Sequence, residues 1–289
     1  MPGDVPSVEP DAASYQMLDA GDGRRLERFG SRVVDRPAPT ADTARRDMLA
    51  WRRADFRFDG PRGWSAGAQP LDPVEVEPWP VLVDGLTMEI RPTASGGVGL
   101  FPEHAANLGW LEAQVRASVA TGQATNVLNL FGHTGLASLA VARAGATVSH
   151  VDASRGAVGW ARRNAELSGL ADRPVRWLVD DALGFVGREA RRGRQYDGLI
   201  LDPPSFGRAG RRQWRVVDEL PALLAGCRQV AAPAAFVLLT AHTTGLDGDA
   251  LARALSHAFP GARPTVEPLA LEAESGAILD LGWSVRHGG

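Results

Sequence analysis

NVLNLFGHTGLASLAVARAG, residues 126–145, is the stretch on which the fold turns. Its first five residues are apolar apart from two asparagines, with no polar alternation, as expected of a strand covered on both faces. LASLAVARAG (136–145) is apolar at helical spacing and closes on Gly145, a residue suited to end a helix. Between the two lies FGHTG (131–135), a tight turn with two glycines. Ligands of open α/β sheets bind outside the carboxyl ends of strands, at such strand-to-helix turns.

Downstream the alternation repeats. TVSHVD (147–152) is a second strand, and Ser154 caps a helix reaching about Leu167. VRWLVD (175–180) is a third strand, with a helix from about Ala182 to Arg192. YDGLILD (196–202) is a fourth, with a helix from about Gln213 to Val230. AAFVLLTA (234–241) is a fifth, with a helix over Gly248–Ala258, and two terminal strands are expected near Thr265–Leu271 and Ala277–Val285. Upstream, a loop (94–99) and LFPEH (100–104) precede a helix over about Ala105–Thr121. The pattern predicts a doubly wound α/β domain over 94–289 with a mostly parallel sheet of seven strands.

The N-terminal third reads differently. The first 13 residues suggest a flexible arm. Residues 14–93 carry short strand-like runs punctuated by turn signals, Gly21-Asp22-Gly23 and Asp84-Gly85. Asp-Gly readily supplies the positive φ angles of a tight hairpin turn. Trp51, Trp64 and Trp79 are expected to anchor a small β-rich subdomain, with base stacking as the alternative.

Composition narrows the function classes. The 289 residues carry a net charge of −3, and all 31 basic residues are arginines. That excludes indiscriminate coating of nucleic acid but leaves room for a local arginine patch. A single cysteine, Cys227, excludes an internal disulfide and a multi-cysteine zinc site, and the six histidines show no ligand spacing, so no metal is expected. With no apolar run long enough to span a bilayer, the chain reads as soluble and cytoplasmic, with no membrane partner.

Two motifs carry chemistry. Gly132 and Gly135 let a backbone approach a ligand closely, and Asp152 stands about twenty residues on, where a carboxylate can accept from ribose hydroxyls. That pair fits either a S-adenosylmethionine (SAM) or a dinucleotide site, although G-x-G-x-x-G is absent. Asp202-Pro203-Pro204-Ser205-Phe206 ends the fourth strand: the prolines stiffen the loop, Asp202 can accept from a planar nitrogen-bearing group, and Phe206 can stack on a base. Asp180 and Asp181 end the third strand, where an Asp is also an ordinary helix cap.

With these motifs in view, residues 98–242 resemble the class I SAM-dependent methyltransferases, and specifically the family of ribosomal RNA large-subunit methyltransferases I and K. The run from Val127 through Leu170 is similar to that family's first two motifs, and DPPSFGR (202–208) to its fourth. The resemblance implies a Rossmann-like methyltransferase sheet and SAM as cofactor. It further implies that Asn129, Phe131, Gly132, Thr134 and Gly135 line the methionine end of SAM. Asp152 would bind the ribose, Ala153 and Ser154 flank the adenine, and Asp181 meet its amino group. His104 would stand over the cofactor, or equally face solvent on a helix.

In that family's carbon-5 cytosine enzymes a cysteine follows the fifth strand, because that carbon needs a thiolate to add to its neighbour. Here the segment reads TAHTTG, Thr240 to Gly245, without a cysteine, and Cys227 lies inside the helix PALLAGCRQVAA. The expected acceptor is therefore a nucleobase nitrogen in RNA, ribosomal by resemblance, with a small-molecule or protein methyltransferase, or a non-catalytic SAM-binding protein, as alternatives. Asp202, Pro203, Pro204 and Phe206 form the expected catalytic loop. Ser205, Arg208 and His242 are expected to meet substrate, with Arg211, Arg212 and Arg215 extending the basic run.

Overall fold

A computed structural model describes residues 14–209, 212–243 and 245–288, with only the backbone of Arg208, Ala209 and Arg212. The arm expected over residues 1–13 and the side chain of Arg211 lie outside the described residues. Two compact units emerge: Met1–Pro102 with Ala270–Asp280, and Glu103–Leu269 with Leu281–Gly289. The division thus falls after Pro102, and a segment between the last two strands joins the first unit.

The first unit holds strands β1 (Tyr15–Gly21), β2 (Arg24–Phe29) and β3 (Arg32–Pro37), a short helix α1 (Met48–Trp51), and strands β4 (Phe56–Phe58), β5 (Trp64–Ala66) and β6 (Gln69–Leu71). These six strands form one sheet in sequential order, while β7 (Trp79–Val83) and β8 (Leu86–Ile90) pair as a separate hairpin. Asp22 and Gly23 (φ 52° and 72°) turn β1 into β2, and Asp84 and Gly85 (φ 48° and 74°) turn β7 into β8. Both Asp-Gly signals therefore supply the left-handed pair that a tight antiparallel turn requires.

The tryptophans tie this small unit together through their indole N–H groups. Trp51 donates to Asp19 (2.7 Å), Trp64 to the Thr93 carbonyl (2.6 Å) and Trp79 to the Phe29 carbonyl (2.8 Å). Glu27, fully buried, accepts from Arg36 through Nε and Nη2 at 2.8 and 2.5 Å. Burial pushes the Glu27 carboxyl up, but the charges of Arg25 and Arg36 outweigh it and hold the group below its ordinary value.

The second unit carries the alternation read from the sequence: α2 (Ala105–Ala120), β9 (Asn126–Leu130), α3 (Leu136–Arg143), β10 (Thr147–Asp152), α4 (Arg155–Leu167), β11 (Val175–Val179), α5 (Ala182–Arg191) and β12 (Tyr196–Leu201). A hairpin follows, β13 (Phe206–Ala209) and β14 (Arg212–Arg215), then α6 (Val216–Val230), β15 (Ala231–Ala241), α7 (Gly248–Ala258), β16 (Thr265–Glu272) and β17 (Ile278–His287). The sheet order is β11-β10-β9-β12-β15-β17-β16, parallel from β11 to β15, with β17 antiparallel to β15. The seven-stranded, mostly parallel sheet is as expected. The helix expected from Gln213 starts three residues later, because residues 213–215 pair in the hairpin.

Strand periodicity divides the core into two layers. Leu128, Leu130, Leu199, Leu201, Val237 and Leu239 face α5, α6 and α7, against Phe185, Leu220, Leu224 and Leu251. Val127, Ile200, Phe236 and Leu238 point the other way, toward Leu111, Val115, Val141 and Ala142. Successive side chains of one strand alternate between faces, so strands covered on both sides must be apolar at every position. Gly198 is the exception that fits: a Cβ there would lie 2.1 Å from the Phe236 ring.

Candidate functional site

The turn leaving β9 is built under backbone strain. Phe131 and His133 sit at φ 60° and 49°, a region that side-chain-bearing residues rarely enter and that recurs at ligand sites. Between them Gly132 donates its N–H to the Val151 carbonyl (3.0 Å), and a Cβ on it would meet the His150 ring at 2.5 Å. Gly135, at φ 94°, caps α3. The Phe131 ring rests against Trp214, with centroids 5.0 Å apart.

Beneath the turn, Asn129 and Thr134 are each only 2% exposed. Asn129 Nδ2 donates to Ser138 Oγ (2.8 Å), which in turn meets His150 Nδ1 (2.9 Å). The Thr134 carbonyl accepts from Asn164 Nδ2 at 2.9 Å. Both residues thus brace the turn from below. Burial pushes the His150 imidazole down to about 3, so it is neutral at physiological pH.

Asp152 ends β10 with its carboxylate half-buried. Oδ2 accepts the His133 N–H (2.9 Å) and Oδ1 the Ser154 N–H (2.8 Å). Each oxygen keeps a second lone pair, as a pair of ribose hydroxyls needs. Ala153 and Ser154 are exposed beside it, and Ser154 caps α4 through the Ala157 N–H. Asp181 caps α5 by accepting the Gly184 N–H (2.8 Å), while Asp180 pairs with Arg188. The glycine turn, the strained backbone and the two acidic strand ends all lie at the carboxyl edge of the sheet, where open α/β sheets bind their ligands. A cavity of about 530 Å³ opens at the opposite, amino edge, beside Arg176, Glu189 and Tyr196.

Asp202 follows β12 at the same carboxyl edge, and the fold surrounds it with partners. Thr240 Oγ1 donates to Oδ1 at 2.5 Å. His242 Nε2 lies 3.3 Å from Oδ1, His104 Nε2 lies 3.3 Å from Oδ2, and the two Nε2 atoms are 3.3 Å apart. His242 Nδ1 donates to the Leu281 carbonyl at 2.7 Å. Gly282 (φ 132°) permits that approach, because a Cβ there would collide with the Ala241 carbonyl oxygen at 2.1 Å.

Burial pushes the Asp202 carboxyl up, yet the charge and hydrogen bond of His104, with those of His242, hold it well below the carboxylate range. Burial acts oppositely on the imidazoles, and Asp202 overcomes it in both: His104 is raised, and His242 is pushed up to about 9. The sequence puts Asp202 in the catalytic loop and His242 among the substrate contacts without pairing them. That His104 completes the group follows from the turn at Pro102–His104 and has no local signature.

Pro203 is buried and Pro204 exposed, and the Pro204 carbonyl accepts from Trp214 Nε1 at 2.8 Å. Ser205 Oγ bonds Thr243 Oγ1 at 2.7 Å. Phe206 is 72% exposed at the base of the β13–β14 hairpin, with the Arg215 guanidinium 6.0 Å from its ring centroid. Arg208 lies on β13, paired in register with Gln213.

A family model described as S-adenosylmethionine-dependent methyltransferase matches residues 17–241. The chain belongs to that family. It is therefore an enzyme whose cofactor is SAM, and the cofactor supplies an electrophilic methyl group on a sulfonium. The crystal structure of the SAM-dependent methyltransferase from Agrobacterium tumefaciens is similar over 99% of this chain and 94% of that one, at 34% identity and a TM-score of 0.88. SMU.776, a candidate methyltransferase complexed with SAH, shares the fold over 96% of this chain and 76% of its own, at 16% identity and a TM-score of 0.70. A candidate SAM-dependent methyltransferase from Streptococcus mutans does so over 95% and 75%, at 15% identity and a TM-score of 0.72. Among the described residues of the methyltransferase, no helix is long and apolar enough to cross a membrane.

Proposed function

We propose that the methyl acceptor is a nucleobase nitrogen in RNA, of the ribosomal kind, and that no cysteine takes part. The observation that carries this reading is the exposed Phe206 ring, with Arg215 beside it, on the loop that begins at Asp202. An aromatic face offers stacking to any base, and a guanidinium offers bidentate contact to phosphate. Arg208, on the same hairpin, extends the basic edge. A nitrogen lone pair can attack the methyl group in line, so placement supplies most of the catalysis. Cys227 supports the thiol-free route: it is fully buried in α6, and burial pushes its thiol up to about 12. A cytoplasmic location accompanies an RNA acceptor.

A second reading, a small hydroxyl-bearing acceptor, rests on Asp202 itself. Its carboxylate already meets Thr240, His104 and His242, so the group offered to an acceptor includes imidazole as well as carboxylate. Transfer of labelled methyl from SAM into total RNA, a protein extract and a small-molecule extract separates the readings. Label in RNA, abolished by Asp202→Asn and reduced at least about tenfold by Phe206→Ala through lost stacking, supports the first. Label confined to small molecules overturns it in favour of the second. Cys227→Ala is expected to keep transfer within about twofold, the size of a change worth well under 1 kcal/mol; a folded but inactive variant would sink the thiol-free mechanism.

A further inference from the structure

We propose that His104, Asp202 and His242 bind one divalent transition-metal ion of the zinc class, leaving at least one coordination position open. The inference does not depend on which molecule accepts the methyl group. Three separate elements deliver the three side chains: the turn before α2, the end of β12 and the end of β15. The two Nε2 atoms lie 3.3 Å apart, and each lies 3.3 Å from its own carboxylate oxygen, His242 from Oδ1 and His104 from Oδ2, with one ligand atom of each residue within 4.8 Å of the others. A four-coordinate ion with bonds of about 2.0–2.1 Å spaces its ligand atoms about 3.3–3.4 Å apart. The Nε2–Nε2 spacing and each nitrogen–oxygen spacing thus match an edge of that tetrahedron.

The chemistry around the three side chains agrees with these spacings. A carbonyl can only accept, so His242 Nδ1 carries the hydrogen shared with Leu281. That directs Nε2 at Asp202 and His104, where either a proton or a metal ion can bridge it to the carboxylate. Donation of the far ring nitrogen to a backbone carbonyl is also how ligating histidines are held. Thr240 fixes the carboxylate in the same manner. Glu103 adds negative charge: it is 4% exposed, its Oε1 is 3.9 Å from His242 Nδ1, and its Oε2 is buried without a hydrogen-bond partner. Two imidazoles select a zinc-like ion over magnesium or calcium, which take oxygen ligands. The side chains of His104, Asp202 and His242 are 15%, 25% and 27% exposed, so an ion can reach them from solvent.

The test uses the full chain, stripped with a chelator. Titration with Co2+ is expected to saturate at one equivalent and to develop the visible absorption of a four-coordinate ion, and Zn2+ is expected to displace it. His104→Gln and His242→Gln should each weaken Zn2+ binding by at least the about 10–100-fold that loss of a mere outer partner costs, with far-UV circular dichroism as the control for folding. X-ray absorption of the Zn2+-loaded wild-type chain should show two imidazoles, a result that needs no variant to fold. Absence of saturable binding would mean that protons alone bridge the three groups, and the proposal fails. Undiminished affinity in both folded variants, or fewer than two imidazoles around zinc, overturns it equally.

Discussion

His150 is a neutral imidazole in a sealed site, bonded through Nδ1 to Ser138 and tilted against Trp177, with ring centroids 4.9 Å apart. Its value falls from 6.5 to about 3 in the folded chain. Below pH 6.5 the unfolded chain takes up a proton that the folded chain refuses, so stability is lost as pH falls from about 6.5 toward about 3. The loss approaches about 1.4 kcal/mol per pH unit within that window. Urea unfolding at pH 7 and pH 5 should show this dependence in the wild type and a flatter one in His150→Gln. An equal slope in the variant would assign the acid sensitivity elsewhere. Asp152 makes a second single-residue case. Asp152→Ala removes the acceptor for the His133 and Ser154 N–H groups as well as for ribose, so SAM affinity measured by calorimetry should fall by about tenfold or more, the worth of one charged hydrogen bond. Affinity within twofold of wild type would remove Asp152 from the cofactor site.

Among the elements, β12 has the least latitude. It lies between β9 and β15, and Gly198 leaves the room that the Phe236 ring occupies. Gly198→Ala should therefore destabilise the fold by about 1–3 kcal/mol through overpacking, despite alanine's better fit to a regular backbone. Leu199→Ala, one residue along and on the opposite face, should cost about 2–5 kcal/mol by leaving a cavity. Denaturant midpoints at unchanged slope would measure both, and a neutral Gly198→Ala would show that Phe236 has another rotamer available. These strands were legible in the sequence because burial on both faces forces continuous apolar runs such as NVLNLF and YDGLIL. The β13–β14 hairpin was not. FGRAGRRQWR offers Trp214 as its one large inward residue apart from Phe206, which the structure leaves exposed, so no alternation marks the pair. The strands β4, β5 and β6 escape for a simpler reason: three residues each are too few to establish a period.

At the scale of the whole molecule, the glycine turn and Asp152 were readable because one strand-turn-helix unit and the next strand end bring them together. The group around Asp202 was not, since His104 and His242 stand 138 residues apart and meet only because α2 begins at the mouth of a sheet that β15 also reaches. β17 raises a different issue. It follows β16 in sequence yet lies between β15 and β16 in the sheet, and the stretch just before it belongs to the first unit. There Glu274 and Ser275 donate their N–H groups to the Met17 and Leu18 carbonyls, and Ser275 Oγ donates to Asp19. Deletion of residues 278–288 removes an interior strand, and the truncated chain should lose its cooperative thermal transition by circular dichroism. A sharp transition near the wild-type midpoint would contradict this. During synthesis, then, neither unit can finish when its own first residues have emerged. The β1 edge waits for Ser275 and the large sheet waits for β17, so the ribosome must deliver some 280 residues, at about 5–20 per second, before either closes. From the end of β15 to the end of β17, about 2–9 s at that rate, the nascent chain holds an unfinished sheet with an open edge at β15, the state in which a chaperone would find it.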